Sequence, residues 1–276
     1  MSEFHHIAIA PDNNYVHHAI AMLHSLYKSN RNLNYYIHLL DSGLDFKNKI
    51  KLKLFLIKAK FKYKIYSIDN SKISNSPTSN HISIAAYNRL LISSLLSKEI
   101  NKVLYLDCDL IILNDLLPLF EIQLNSNYLG AIEEVVNEDV KTRLEIKNNY
   151  FNSGVLLINL IQWRKLNFES ELIYFLNNQK EKIVSHDQDV LNYCAKGKWL
   201  KLDYKYNVTH FFYYPEKYSH NYLNLTNDEY LDIKSNPVII HFTSQDKPWT
   251  LESTHPKSDL YFKYILSLKE ILLKKF

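Results

Sequence analysis

Apolar residues along the chain recur in two rhythms. Runs of strand length appear first: Ile7 to Ile9 within "HHIAIAPDNNY", then "YYIHLLDSG" and "KYKIYSID", each short, apolar and bounded by turn formers. Helical spacing fills the gaps. Val16 to Tyr27 places Ile20, Leu23 and Leu26 near one helical face, and residues 47–60 mix lysine with apolar positions as an amphipathic helix does. "SIAAYNRLLISSLL" predicts a further helix and "KVLYLDCDLII" a fourth strand. Strand then helix, repeated, predicts an α/β fold whose mostly parallel sheet is flanked by helices. Ligands of such sheets bind beyond the carboxyl ends of the strands, which is where Asp12, Asp107 and Asp109 fall.

The rhythm loosens afterwards. "YLGAIEE", "YFNSGVLLINLIQWRKLN" and "SHDQDVLNYCAKGKW" alternate apolar runs with polar corners, whereas residues 203–236 are poorly periodic and predict a less regular segment. "PVIIHFTSQDKPW" predicts a strand from Val238 to Ile240 that ends in His241. From Ser258 onward Leu260, Tyr264, Ile265, Leu268, Ile271 and Leu272 sit near helical spacing, with Lys269, Lys274 and Lys275 among them, so an amphipathic basic helix is expected over 256–276. "NSKISNSPTSN" has no periodicity, and a loop of that length is often a functional lid. No internal repeat or linker is visible.

Composition narrows the options. At 276 residues, 46% hydrophobic and 22% charged, the chain suits one large α/β domain, with or without an appended subdomain. A net charge of +4 is too small to argue for nucleic acid. Cys108 and Cys194 are the only cysteines and form no CxxC pattern, which fits a reducing cytosol and argues against a zinc cluster. The opening residues lack the regions of a signal peptide, and no apolar stretch approaches the roughly 20 residues of a membrane span. A cytoplasmic protein is expected, with the sequons at Asn207 and Asn224 arising by chance. The four glycines, at 43, 130, 154 and 197, form neither a GxGxxG turn nor a P-loop, so a bound diphosphate would need a metal to share the task. The 21 tyrosines accompany abundant Asn, Lys and Ile and are read as compositional drift.

The candidate chemistry lies in "VLYLDCDLIILND". Asp107 and Asp109, two apart where an apolar run stops, would face one spot if the strand continued through them. Two such anions repel unless a proton or a cation lies between them. They could instead cap the following turn or pair with lysines, but His241 is a second strand-end candidate. Two carboxylates and one imidazole suit a divalent first-row metal, Mn²⁺ over Mg²⁺, and vacant positions could hold phosphate oxygens. Cys108 is expected to point away from such an ion and pack.

"YLDCDLIILNDL", "YFNSGVLLINLIQWR", "HDQDVLN" and "HFTSQDKPW", in that order and behind "HISIAAYNRL", resemble the family 8 glycosyltransferases, above all the bacterial lipooligosaccharide and lipopolysaccharide α-galactosyl- and α-glucosyltransferases. The resemblance runs from "IAIAPDNNY" to "KPW", about nine-tenths of the chain. It implies a GT-A fold over residues 1–255, with a donor half to about residue 125, an acceptor half from about 126 to 255, and a nucleotide-sugar donor. By it, Asp107, Asp109 and His241 would bind Mn²⁺ with the UDP diphosphate. Ala10, Asp12, Asn14 and Tyr15 match positions holding uracil and ribose, Tyr15 stacking on the base. Lys247 matches the lysine on the diphosphate. Arg89, Asn152, Asp187 and Gln188 match residues lining the donor sugar, His81 lies in the lid-like segment over it, and Cys108 falls among the donor-site residues. Two departures stand out: Ser244 replaces the usual glycine of "HFxGxxKPW", and Glu133 and Glu134 stand where an aspartate is common.

The expected activity is metal-dependent transfer of galactose or glucose from a UDP-sugar to a carbohydrate or glycolipid acceptor, with retention. Gln188, Asp187 and Lys247 are the candidate catalytic residues. An amide such as Gln188 is a poor nucleophile, which favours attack by the acceptor on the leaving-group face over double displacement. A metal-dependent phosphohydrolase and a UDP-sugar-binding protein without turnover are the rival readings. The basic tail helix could rest on anionic lipid at the inner face of the cell membrane, or dock on the domain's own core.

Overall fold

The computed structural model describes residues 4–73, 76–77, 84–147, 149–214, 218–243 and 245–272. Among the described residues nine strands are formed: β1 (His5–Ile9), β2 (Tyr35–Asp41), β3 (Lys62–Ser67), β4 (Lys102–Leu106), β5 (Leu110–Ile112), β6 (Leu129–Glu134), β7 (Tyr150–Asn159), β8 (Trp199–Lys201) and β9 (Ile239–His241). Seven build one sheet in the order β3-β2-β1-β4-β7-β6-β8. β7 is antiparallel to both its neighbours, and the other pairings are parallel. The expected mixed, mostly parallel sheet is thus present, and β5 and β9 form a small antiparallel sheet beside it.

Period-two alternation explains how one sheet carries two cores. In β1, Ile7 and Ile9 pack into one apolar cluster with Leu104 and Leu106 of β4. Ala8 and Ala10 turn to the opposite cluster with Val103 and Tyr105. Both faces are therefore dry, which accounts for the almost unbroken apolar runs of the central strands. The helix Val16–Ser29 covers one face, and Phe168–Asn178 and His186–Ala195 cover the other.

Three local expectations change. "KVLYLDCDLII" is not one strand, because the chain leaves the main sheet after Leu106 and enters the second sheet at Leu110. Residues Ile84–Leu91 form a 3₁₀ helix rather than an α-helix, which continues only through Ile92–Leu95. In that tighter screw Arg89 Nε donates to Ala86 O three residues back, at 2.9 Å. The segment 203–236 is irregular as expected, with three short 3₁₀ turns among its described residues, but it also holds the helix Asn227–Ser235. Thr226 and Glu229 close a reciprocal capping box there, a signal present in "TNDE". The tail helix Ser258–Leu272 docks on the domain, burying Tyr261 and Leu268, and His24 Nδ1 donates to Tyr264 O at 3.0 Å.

Candidate active site

The break between β4 and β5 positions both aspartates. Asp107 N still donates to Gly154 O of β7 at 2.9 Å, holding the first residue of the bend against the main sheet. Asp109 O accepts from Phe242 N at 3.0 Å, holding the last against the β9 strand end. The carboxylates converge because the bend spans two sheets, not because alternate residues of one strand share a side. His241 enters opposite Leu110 on β9. Its Nε2 lies 3.2 Å from Asp109 Oδ1 and 3.9 Å from Asp107 Oδ2, and one ligand atom from each of the three residues falls within 4.8 Å of the others.

Gly154 is the spacer. A Cβ at this position would lie 2.2 Å from His241 Cε1 and 2.9 Å from Asp107 Oδ2, so a side chain would displace two members of the cluster. Gly154 was visible only as one glycine among four; the signal available was its place after Asn152 and Ser153, two polar residues inside a ten-residue strand that is buried throughout.

A chain of amides orients the imidazole. Asn152 Nδ2 donates to Glu134 Oε2 at 2.7 Å, which turns Asn152 Oδ1 toward Gly154 N (2.9 Å) and Asn207 Nδ2 (2.8 Å). Asn207 Oδ1 then faces His241 Nδ1 at 2.9 Å. An amide oxygen only accepts, so Nδ1 carries the proton, and in the neutral ring the Nε2 lone pair points at the aspartates. A lone pair facing two carboxylates is a poor hydrogen-bond arrangement and a good cation-binding one. This donor set fits Mn²⁺ and also accommodates Mg²⁺ through its oxygens. Asn207, discounted above as a chance sequon, is buried inside this chain of bonds, a role no local sequence signal announced. Glu134 belongs to it as well, whereas Glu133 turns away to pair with Lys201.

Cations bracket the cluster. Lys247 Nζ sits 2.7 Å from Asp109 Oδ2 and also bonds Phe242 O. Burial raises the Asp109 pKa, but Lys247 opposes it, joined by His241 only when its ring is protonated, and the carboxyl is held well below its ordinary range. Arg89 bridges two acids, with Nη2 at 2.7 Å from Asp107 Oδ1 and Nε at 3.1 Å from Asp187 Oδ2, and its guanidinium lies 4.3 Å from the Tyr105 ring centroid. Arg89, expected among the residues lining the donor sugar, also clamps "DCD" to "HDQD". Asp187 also accepts from Ser153 Oγ at 2.9 Å. Burial pushes its carboxyl up to about 6, Arg89 pulling down and Asp107 pushing up. Gln188 Oε1 accepts from Ser153 N at 3.0 Å, and its Nε2 lies 3.4 Å from Glu134 Oε1. Ser153 and Tyr105, whose hydroxyl donates to Asp107 Oδ1 at 3.1 Å, complete the site and were not anticipated.

The remaining candidates lie on the β1 side. Ala10 is buried just past β1, and Asn14 is exposed. Asp12 Oδ1 accepts from the backbone N–H groups of Asn14 and Tyr15, both at 2.9 Å, so it shapes the turn into the Val16–Ser29 helix. The Tyr15 ring meets Trp249 edge-on at 6.1 Å, while His18 stacks on Trp249 at 3.7 Å. Burial, then Asp109, raise the Tyr15 phenol, so it stays a neutral donor. Cys108 is buried in the apolar core with its thiol pKa pushed far up by burial, which matches the packing role expected for it. His81 and Ser244 lie outside the described residues.

Comparison with known proteins settles the family. The model of the family described as glycosyl transferase family 8 matches residues 6–252. The chain belongs to this family. General stress protein A of Bacillus subtilis is 29% identical over 269 residues, covering 95% of this chain and 93% of its own length. A lipopolysaccharide 1,2-glucosyltransferase of Escherichia coli is 27% identical, covering 93% of this chain and 76% of its own. Among solved structures, the galactosyltransferase LgtC, in complex with donor and acceptor sugar analogs, superposes with a TM-score of 0.83 at 25% identity over 95% of each chain. The likeness to LgtC places this family 8 chain in the GT-A fold. Among the described residues no helix is long and apolar enough to cross a membrane.

Proposed function

We propose that this chain is a metal-dependent, retaining hexosyltransferase that moves galactose or glucose from a UDP-sugar to a carbohydrate or glycolipid acceptor in cell-surface glycan synthesis. The observation that carries the reading is the convergence of Asp107, Asp109 and the His241 Nε2 lone pair on one small volume. Family membership and the donor and acceptor sugar analogs bound by LgtC support it. In this reading the donor half ends near residue 125 and the acceptor half near 255, and the protein works in the cytoplasm.

Asp107, Asp109 and His241 would hold Mn²⁺, or Mg²⁺, and the bound cation would neutralise and orient the diphosphate. Lys247 adds a fixed positive charge on the same side, placed to take up charge on the leaving UDP. Ala10, Asp12, Asn14 and Tyr15 line the uridine end, Tyr15 offering its ring to the base. Arg89 keeps Asp107 and Asp187 apart and neutralised. Asn152, Asp187 and Gln188 face the donor sugar. Gln188 is held at its carbonyl by Ser153 N and is short of nucleophilic power. The acceptor hydroxyl therefore attacks on the leaving-group face, its proton passing to the departing phosphate, with Asp187 orienting the sugar. The tail helix, with Phe262 and Leu266 exposed beside its docked face, adds a peripheral membrane contact.

The test is a UDP-release assay over a panel of UDP-sugars, run with Mn²⁺, with Mg²⁺ and with chelator. Release of UDP with one hexose donor, lost on chelation and in Asp109→Asn, is expected. Inorganic phosphate release would establish a phosphohydrolase, and binding without turnover a donor-binding protein. A covalent sugar trapped on Gln188 or Asp187 would replace the front-face route.

A further inference from the structure

The helix Phe46–Lys58 shows solvent a face that its packing does not explain. Leu52, Phe55 and Leu56 dock it on the domain. Phe46, Ile50, Leu54 and Ile57 remain 79%, 39%, 46% and 49% exposed. At about 100° per residue these four fall within roughly 80° of arc, well away from the docked side. They are a second apolar stripe on a helix that already has one. Lysines flank it on both sides, Lys47, Lys51 and Lys58 along one edge and Lys49 and Lys53 along the other, and no acidic residue falls from Phe46 to Lys58, although Lys49 Nζ pairs with Asp41 Oδ2 at 2.8 Å.

We propose that this stripe is a docking surface for an anionic lipid bilayer. An apolar ridge between two rows of lysine stems is the pattern of a helix lying in the interface, side chains in the acyl boundary and ammonium groups at headgroup level. A second copy of the chain fits poorly, since two-fold pairing would set lysine rows against lysine rows of like charge. The position is apt for an enzyme that meets a lipid-linked acceptor. Asp45, the N-cap of the helix, is tied to the loop after β1 through its N–H to Asn13 Oδ1 at 2.9 Å, and Asn48 Nδ2 reaches Asn13 O at 3.2 Å. Asn48 lies on the docked side, so a bilayer on the exposed stripe would lie one helix diameter, roughly 10 Å, from the Ala10–Tyr15 loop. The tail helix packs against this helix, but the four stripe residues belong to a different element, and the proposal does not depend on turnover.

Vesicle flotation of the full chain tests the proposal, using phosphatidylcholine with and without roughly a third phosphatidylglycerol. Wild type is expected to float with the anionic vesicles, to stay behind with the neutral ones, and to be released by about 0.5 M salt. Phe46→Ser/Ile50→Ser/Leu54→Ser and, separately, Lys47→Glu/Lys53→Glu should each cut the bound fraction at least about tenfold, with unchanged circular dichroism. The tail variant Phe262→Ser/Leu266→Ser should keep most of the binding. Three results would overturn the proposal: no flotation of wild type, loss only in the tail variant, or a concentration-dependent dimer abolished by the triple serine variant. The first of these would leave the transferase reading untouched, because UDP release is measured without vesicles.

Discussion

Asp109 and Asp189 are both carboxylates with almost no exposure, and their surroundings differ in kind. Asp189, fully buried, is saturated with donors: Arg143 Nη1 at 2.9 Å, Tyr150 OH at 2.7 Å, and the N–H groups of Val184 and Ser185 at 2.8 and 2.7 Å. Asp109 has one firm donor, Lys247, while its other oxygen faces an imidazole nitrogen whose ring has already committed a proton to Asn207. A saturated carboxylate ties segments together. One facing a lone pair and a second carboxylate is short of positive charge, and that shortage is what a cation site requires. Burial alone does not separate structure from function here; the balance of donors against acceptors does.

The largest contrast is expected from Asp109→Asn. It should lower the UDP-release rate by at least about 10²-fold and abolish Mn²⁺ binding by calorimetry, because a direct ligand should exceed the 10- to 100-fold typical of an outer partner. Its melting temperature should move less than that of Asp189→Asn. That second substitution breaks a buried ion pair with three further bonds and should cost about 3 kcal/mol in chemical denaturation, while Mn²⁺ affinity is retained. Equal stability losses in the two variants would remove the distinction. Asn207→Ala should weaken Mn²⁺ binding about 10- to 100-fold without touching a ligand. In the metal-free protein, ¹⁵N spectra should show His241 protonated at Nδ1 in wild type and mixed in the variant.

The smallest effect concerns pH and sets Asp187 against Asp109. Asp187, raised to about 6 chiefly by burial, holds a proton that the unfolded chain sheds near 4, so its contribution to stability grows as pH falls through that window. Asp109 is depressed chiefly by Lys247 against the pull of burial, so its contribution is present above about 4 and lost on acidification. Activity should decline below about pH 6 as protonated Asp187 loosens Arg89, and Asp187→Asn should lack that limb in a pH–rate profile.

Legibility followed locality. The strands β1 to β3 and the helices between them read directly from periodicity, because each buries a face whose spacing is set by its own backbone. The capped helix Asn227–Ser235 carried a local signal in Thr226 and Glu229, yet the poor periodicity of its surroundings predicted no helix there. Residues 84–91 misled because 3₁₀ and α patterns share the i, i+3 spacing. Within the site, the two aspartates and His241 could be nominated from strand ends. Ser153, Gly154 and Asn207 could not, because their roles exist only where β4, β7 and the segment before β9 meet.

The order of residues was enough to establish an α/β layout, the candidate aspartates and the motif set of family 8. Which nitrogen of His241 faces those aspartates, why residue 154 has no room for a side chain, and which lysine-flanked stripe remains uncovered were decided by packing. Periodicity and propensity act over a few neighbouring residues, whereas a tautomer or a forbidden methyl group is set by atoms far apart in the chain, as Gly154 is from His241.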